Sequence, residues 1–452
     1  MKFSDFIKDC ENDNEVDLTH FIYCTKEEIL ADYCFPRYKK DSLRLFFSMT
    51  KSITSLAIGI AVDMKLISLD TPIISFFTDE LPVTPHKNLE KIQIIHLLTM
   101  SCGIHENTYT SLFVQDNWIK AFLAQDFPHE PGTYYRYSTH ASHMLSAIIS
   151  KVSGLSLKDF LNQYLFYPMD IFEAQFECSP EGVTAGGMGL SLYPISLAKI
   201  AQMLLNYGVY NGKRLLSSDY INDASISHII KQDEIYNYEK IYSGLQYGFQ
   251  FHICKDNHYR ADGAFGQLCL VCPTKNMAFI AFSQKSKVEN LLLLIYMYFI
   301  DNSNPILIDN YQSKIQETTL SIVFDIPNKI YSMERNILSI EYIEFISVDC
   351  KYQMKFVTTK GRADYIDFDF SCETQGKTFF VKDLQEHLQE YICIAKCNSE
   401  NIIELNIYFI ETPYIVKIIV SFENKMIQFD FQINVSFILD NFSCKGFLYE
   451  LK

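Results

Sequence analysis

Leu45-Phe46-Phe47-Ser48-Met49-Thr50-Lys51, continued by SITSLAIGIA from Ser52 to Ala61, is the stretch on which the reading of this chain turns. It sets a hydroxyl one helical turn before a lysine, at the mouth of a helix of apolar and small residues. Side chains three apart share one helix face, so the amine of Lys51 reaches the hydroxyl of Ser48. A serine is a poor nucleophile near neutral pH until a base takes its proton, and a desolvated amine does that. Leu45, Phe46 and Phe47 lead in as an apolar approach, and the helix beyond has no charged face, so it reads as buried. The same spacing recurs at Ser196-Leu197-Ala198-Lys199. That copy lies in an amphipathic helix and reads as a solvated serine and lysine.

A chain of 452 residues is long enough for two domains, each with its own core. Its 13 cysteines are an odd number without framework spacing, which reads as reduced thiols in a cytosolic protein. Cys269 and Cys272 form a CxxC on a strand, where residues three apart face opposite ways, so no metal pair is expected. The N-terminus, MKFSDFIKDCENDNEV, has no signal-peptide core, which gives a cytoplasmic expectation. The longest apolar run, Leu291 to Ile300, is about half a bilayer span and reads as a helix packed on a sheet. A formal charge of −15 argues against nucleic acid or an anionic membrane as partner. No cofactor is expected.

Two strand-like runs, His20 to Cys24 and Glu28 to Cys34, flank the turn Thr25-Lys26-Glu27 as a hairpin. After the Ser48 helix come a Pro-marked segment, a helical piece from His96, and helices over His140 to Val152, Ser156 to Tyr164 and Leu190 to Tyr207. Tyr247 to Cys254, Asp262 to Val271 and Met277 to Ser283 read as strands. Composition changes over Asn302 to Gln316. Beyond lie eight or more short strand patterns, from LSIVFDI at Leu320 to MIQFDFQINVSF at Met426, which read as an antiparallel barrel or sandwich without a chemical motif. The expected domains are residues 1–305 and 306–452, the second a lid, a brace or an oligomer surface.

The order of segments from residue 18 to about 300 resembles the serine beta-lactamase-like superfamily, in particular its class C, D-aminopeptidase and family VIII esterase branch. FFSMTKSITSLAIGIAVDMKLISLDTPI is similar to the nucleophile helix, HLLTMSCGI to the LLTMTSGI element, and PGTYYRYSTHASHMLSAIISKVSG to the segment bearing YxN. GGMGLSLYPISLAKIAQMLLNYGVYNGKRLL is similar to the helix of the second half, and YRADGAFGQL to the strand bearing KTG, HxG or GxxGQ variants. The resemblance implies an α+β fold: an antiparallel sheet flanked by helices, with the site between the sheet and a helical subdomain.

It further implies Ser48 as the acyl-accepting nucleophile, Lys51 as its activator and Tyr137 as a proton shuttle. The backbone N–H groups of Ser48 and Ala264 would form the oxyanion hole, with Gly263 letting the strand approach the substrate. Two positions depart from the pattern. Thr139 stands where the motif has asparagine, and Ala261-Asp262-Gly263 stands where it has Lys or His before the glycine. An anion thus replaces the cation that attracts a substrate carboxylate, so carboxylate-bearing substrates are expected to be poor. His140 and His143 are three apart with no third ligand and no HExxH, and read as capping or rim histidines rather than a metal site. No GxSxG elbow supports a Ser-His-Asp triad.

The leading reading is a serine hydrolase acting through an acyl-enzyme on a small ester or amide, esterase-like or D-aminopeptidase-like. The second is a binding module on the same fold, with Thr139 and Ala261 as its evidence and the β domain as its contact surface. Beta-lactamase or cell-wall carboxypeptidase action ranks below, because both the export signal and the cation are missing.

Overall fold

Strand β1 (Leu18–Cys24) is buried at every position and pairs antiparallel with β2 (Ile29–Cys34), closing the expected hairpin through Thr25 N to Glu28 O at 2.9 Å. A strand buried on both faces belongs inside a covered sheet. The computed structural model describes residues 1–231, 244–285, 288–312, 326, 328–348, 351–399 and 401–449. Among these, β1 and β2 join β3 (Ile229–Ile230), β4 (Gln246–Tyr247), β5 (His252–Ile253), β6 (Tyr259–Gly263), β7 (Gln267–Cys272) and β8 (Met277–Ser283). The sheet order is β2-β1-β8-β7-β6-β5-β4-β3.

Alternation along the strands splits the core in two. Ile22, Cys269, Val271 and Ile280 face the helices α2 (Thr50–Asp63), α4 (Thr139–Ser153) and α5 (Pro194–Leu205). Phe21, Leu268, Cys272 and Phe279 face α1 (Phe3–Asn12) and α6 (Glu289–Ile295) on the other side. Cys269 and Cys272 therefore point to opposite faces, and the apolar run from Leu291 packs on the sheet, as its composition implies. In α2 every residue from Thr50 to Ala61 is buried, with each fully buried Ile or Leu contributing about 1.5–3 kcal/mol. A helix between α2 and α4, α3 (Trp118–Leu123), returns below.

The strand expected over Tyr247 to Cys254 is instead two short strands. The chain bends between them at Gln250, whose φ is +63° and whose amide donates to Leu97 O at 2.9 Å and Leu98 O at 2.8 Å. Those bonds, with Ser142 Oγ donating to Gln250 Oε1 at 2.6 Å, tie the sheet to the helices and outweigh continued pairing.

The chain divides into two compact units, Met1–Phe35 with Lys40–Tyr311, and Pro36–Lys39 with Gln312–Lys452. The second unit is all β, with β9 (Ile330–Met333), β10 (Ile340–Val348), β11 (Lys351–Thr358), β12 (Ala363–Phe368), β13 (Thr374–Val381), β14 (Glu386–Ser399), β15 (Ile402–Phe409), β16 (Ile415–Glu423), β17 (Met426–Ile433) and β18 (Phe442–Leu448). Their order is β12-β11-β10-β9-β18-β17-β16-β15-β14-β13. Its two end strands meet where Thr374 Oγ1 donates to Asp367 O at 2.7 Å, so the barrel is nearly closed. The strand expected over Leu320 to Ile326 lies, Ile326 apart, outside the described residues. No helix among the described residues is long and apolar enough to cross a membrane.

Candidate active site

Ser48 sits in a one-turn 3₁₀ segment, Phe47–Met49, that runs into α2. Phe47 before it holds a φ of +46°, a costly conformation for a side chain with a Cβ. Thr50 keeps the corner in place. Its Oγ1 donates to Phe47 O at 2.6 Å and accepts from Leu190 N at 3.2 Å, while Phe46 N donates to Leu190 O at 2.8 Å. The result is a half-buried Ser48 at the mouth of a buried helix.

Lys51 is 1% exposed, and its Nζ donates to Ser48 Oγ at 2.9 Å and to Gly187 O at 2.7 Å. It also lies 4.9 Å from the ring centre of Tyr137. A Cβ on Gly187 would stand 2.6 Å from Thr139 O, so only glycine lets that carbonyl come between α2 and α4. Tyr137 hydrogen-bonds Ser48. Burial pushes its phenol well up, the bond with Ser48 pulls it back and Asp262 adds to the rise, so the phenol is protonated near neutral pH.

The third wall is β6 and the turn Ala264–Gly266. A Cβ on Gly263 would meet Phe46 O at 2.2 Å, so the glycine lets the strand lie against the chain leading into Ser48. Gln267 fixes the turn, its Nε2 donating to Ala264 O at 3.1 Å, Phe265 O at 2.8 Å and Ser283 O at 2.9 Å.

Asp262 differs from the reading of its sequence position as a lone anion. Arg260 Nε donates to both of its carboxylate oxygens at 2.8 Å, and Arg260 Nη1 reaches Cys254 Sγ at 3.2 Å. The two residues are two apart on one strand, hence on one face, and the pairing balances the charge. A second cation is buried nearby: Lys231 Nζ contacts His252 Nδ1 at 2.7 Å. Burial, together with Lys231, Arg260 and Lys51, holds His252 well below its usual range, so it is neutral.

Thr139 opens α4, capped by Ser138 Oγ accepting from Ala141 N at 3.2 Å. The two histidines that follow are not at a rim. His140 and His143 are each 1% exposed, His140 lying edge-on to Trp118 in α3 at 5.1 Å. His143 Nε2 pairs with Glu181 Oε1 at 3.2 Å, and that oxygen also accepts from Trp118 N at 3.0 Å. Among the described residues neither ring nitrogen of His140 has a hydrogen-bond partner, nor has His143 Nδ1. Burial first, then His143 and Lys51, push His140 down to about 3 against the pull of Glu181. Burial raises the Glu181 carboxyl, but the bond from His143 and its own backbone outweigh it and bring it to about 2.

The second Ser-x-x-Lys is tied to other partners and is not simply solvated. Ser196 Oγ donates to Glu173 Oε1 at 2.6 Å, and Lys199 Nζ donates to Met169 O at 3.1 Å and Asp170 O at 2.9 Å.

Sequence reasoning gave no role to Thr50, Gly187 or Arg260, each of which positions a neighbour, and met Gln267 only as the last residue of a GxxGQ pattern. Of the first three, Gly187 carried a local signal, the run Gly186-Gly187-Met188-Gly189, where paired glycines mark close backbone approach.

An antiparallel sheet between helical layers, with Ser48, Lys51 and Tyr137 meeting beside its β6 strand, defines a serine beta-lactamase-like protein. The chain belongs to the Beta-lactamase family, whose model matches residues 26–293. It is 22% identical over 220 residues to the 6-aminohexanoate-dimer hydrolase of Paenarthrobacter ureafaciens, covering 44% of this chain and 55% of that one. The match thus spans about half the length of that relative. The octameric penicillin-binding protein homologue of Pyrococcus abyssi aligns with a TM-score of 0.54 and 16% identity over 98% of both chains. A family VIII carboxylesterase aligns with a TM-score of 0.51 and 16% identity, over 64% of this chain and 94% of its own. At such identities these two share the fold with this chain.

Proposed function

We propose that this chain is a serine hydrolase that forms an acyl-enzyme on Ser48 from a small ester or amide. The observation that carries the reading is the convergence on one hydroxyl: Ser48 Oγ holds both Lys51 Nζ at 2.9 Å and a hydrogen bond with Tyr137. Lys51 as the free amine takes the Ser48 proton while Oγ attacks the carbonyl carbon. The oxyanion is received by the N–H groups of Ser48 and Ala264, the latter in the turn that Gln267 holds. Tyr137 passes a proton to the departing alcohol or amine, and water then releases the acyl group. The names carboxylesterase and 6-aminohexanoate-dimer hydrolase among the similar proteins agree with this chemistry.

For the substrate, the Arg260 pairing favours a second class beside neutral esters. With Asp262 balanced, amides bearing a carboxylate are not repelled as a lone anion would repel them, by about 1–4 kcal/mol.

The test is intact mass after a fluorophosphonate or an activated ester. One acyl or phosphonyl group should add at Ser48 and be absent in Ser48→Ala. Labelling elsewhere, or none with an intact fold, rejects the reading in favour of a binding module.

A further inference from the structure

A row of side chains with polar tips crosses one face of the sheet: Lys231 just past β3, Tyr247 on β4, His252 on β5 and Arg260 on β6. The register sets the row. Tyr247 pairs with His252 and His252 with Arg260, while Lys231 stands two residues beyond Ile229, the partner of Tyr247. The row leads to Tyr137. Tyr247 lies edge-on to His252 at 5.1 Å and to Tyr137 at 6.5 Å, so one ring separates His252 from the phenol that bonds Ser48.

Lys231 Nζ stands 2.7 Å from His252 Nδ1 and donates to Gly244 O at 3.3 Å. An amine ordinarily keeps its proton to a pH about four units above an imidazole, so the shared proton stays on the lysine. An ammonium has donors only. Nδ1 is therefore the acceptor, and the ring carries its own proton on Nε2. Burial first, then Lys231, Arg260 and Lys51, keep the ring from taking a second proton. His252 is half-buried, and its Nε2 makes no hydrogen bond to a described residue. The Asp262 carboxylate on the same face is already held by Arg260.

A neutral donor with an ammonium behind it favours an oxyanion over a neutral acceptor. We infer that His252 sets substrate specificity at the Ser48 site, its Nε2–H receiving a carboxylate carried by the ester or amide. Lys231 is the positioning residue: it fixes the tautomer and brings, from another strand, the positive charge that Ala261 does not supply. The inference rests on the acyl-enzyme reading and names the substrate class within it, esters and amides with a free carboxylate.

The experiment compares two p-nitrophenyl esters of adipic acid, one with its second carboxyl free and one with it methylated, and takes the ratio of their specificity constants. His252→Leu and Lys231→Met should each lower the acid-to-methyl ratio by about tenfold or more, mainly through KM, the loss of one hydrogen bond to a charged group. His252→Gln should hold the ratio within about threefold, because its amide oxygen accepts from Lys231 and its NH₂ donates. Where His252→Leu does not fold by far-ultraviolet dichroism, the double variant Lys231→Met/His252→Leu, which leaves no cation without its acceptor, takes its place. A purely structural role lowers both esters alike, so an unmoved ratio in the folded variants overturns the inference while the acyl-enzyme reading stands. A ratio in His252→Gln as low as in His252→Leu overturns the Nε2–H assignment. Turnover of neither ester by the native chain, with no phosphonate on Ser48, overturns both.

Discussion

Ser48-Met49-Thr50-Lys51 and Ser196-Leu197-Ala198-Lys199 present the same residues at the same spacing, and the structure makes different things of them. At the first, Lys51 Nζ turns back onto Ser48 Oγ at 2.9 Å, 1% exposed, with Gly187 O as its second acceptor. At the second, Glu173 takes the serine, and the carbonyls of Met169 and Asp170 take the lysine. Helical spacing puts two side chains on one face; the groups beyond the helix decide whether they face each other or their neighbours. At Ser48 the outer groups leave the hydroxyl as an acceptor for the buried Lys51 Nζ. At Ser196 a carboxylate and a loop offer better terms.

Substitutions at matching positions break this comparison most sharply. Ser48→Ala should lower kcat/KM on a p-nitrophenyl ester by roughly 10⁴ or more, while Ser196→Ala leaves it within about twofold. Equal losses would mean that neither site is the nucleophile's. Next in size is the base. Lys51→Arg keeps the charge but not the exchangeable proton and should cost on the order of 10³ in kcat, with Lys199→Arg near native; appreciable turnover by the first would place the base elsewhere.

Gly187→Ala tests the surroundings rather than the pair. A Cβ 2.6 Å from Thr139 O must push the Lys51 acceptor away, with an expected stability loss of about 1–3 kcal/mol by denaturant titration and a fall in kcat of about a hundredfold. Native kcat in that variant would show that the carbonyl does not hold Lys51. Arg260→Gln sharpens the reading of charge. With its partner gone Asp262 is a lone anion, so the ratio of specificity constants for nitrocefin over a neutral ester should drop about tenfold, and an unchanged ratio would put Asp262 out of reach of the substrate.

The smallest effect is on pH. His140, near Lys51, titrates at about 3 in the folded chain and near 6.5 when unfolded, so as pH falls below about 6.5 the unfolded chain takes the proton first and folding stability drops. The expected slope is up to about 1.4 kcal/mol per pH unit between pH 6 and 5, a window above that in which Glu181, held at about 2, contributes. His140→Phe should reduce the slope measured in denaturant titrations, the neutral His252 keeping its own share. A slope unchanged in the variant would mean that His140 is not the group that resists protonation.

The strands, the buried helices and the all-β second half were legible because apolar alternation and buried helices write themselves locally, while their assembly into a sheet flanked by helices came from the family resemblance. His140 and His143 were not. Read as capping or rim residues because no third metal ligand accompanies them, they are buried, with Trp118 from α3 packed edge-on against both. Asp262 was read without a partner because Arg260, only two residues away, was given no part in the site. Whether Arg260 points beside Asp262 or toward solvent depends on what covers that face of β6.

Sequence by itself determined that a serine and a lysine share a face at the head of an apolar helix, that a sheet with helices on both faces precedes a β unit, and that the chain belongs with a known superfamily. Local rules suffice for those, since helical and strand periodicity and ordered motifs need no partner from afar. Tertiary structure alone decided which Ser-x-x-Lys closes on itself, which carbonyl holds the lysine and which cation balances Asp262. Those outcomes depend on groups far apart in sequence, such as Lys51 and Gly187, or Ser142 and Gln250, brought within hydrogen-bond distance. A buried polar group takes whichever partner the fold delivers, because leaving it without one costs about 1–3 kcal/mol.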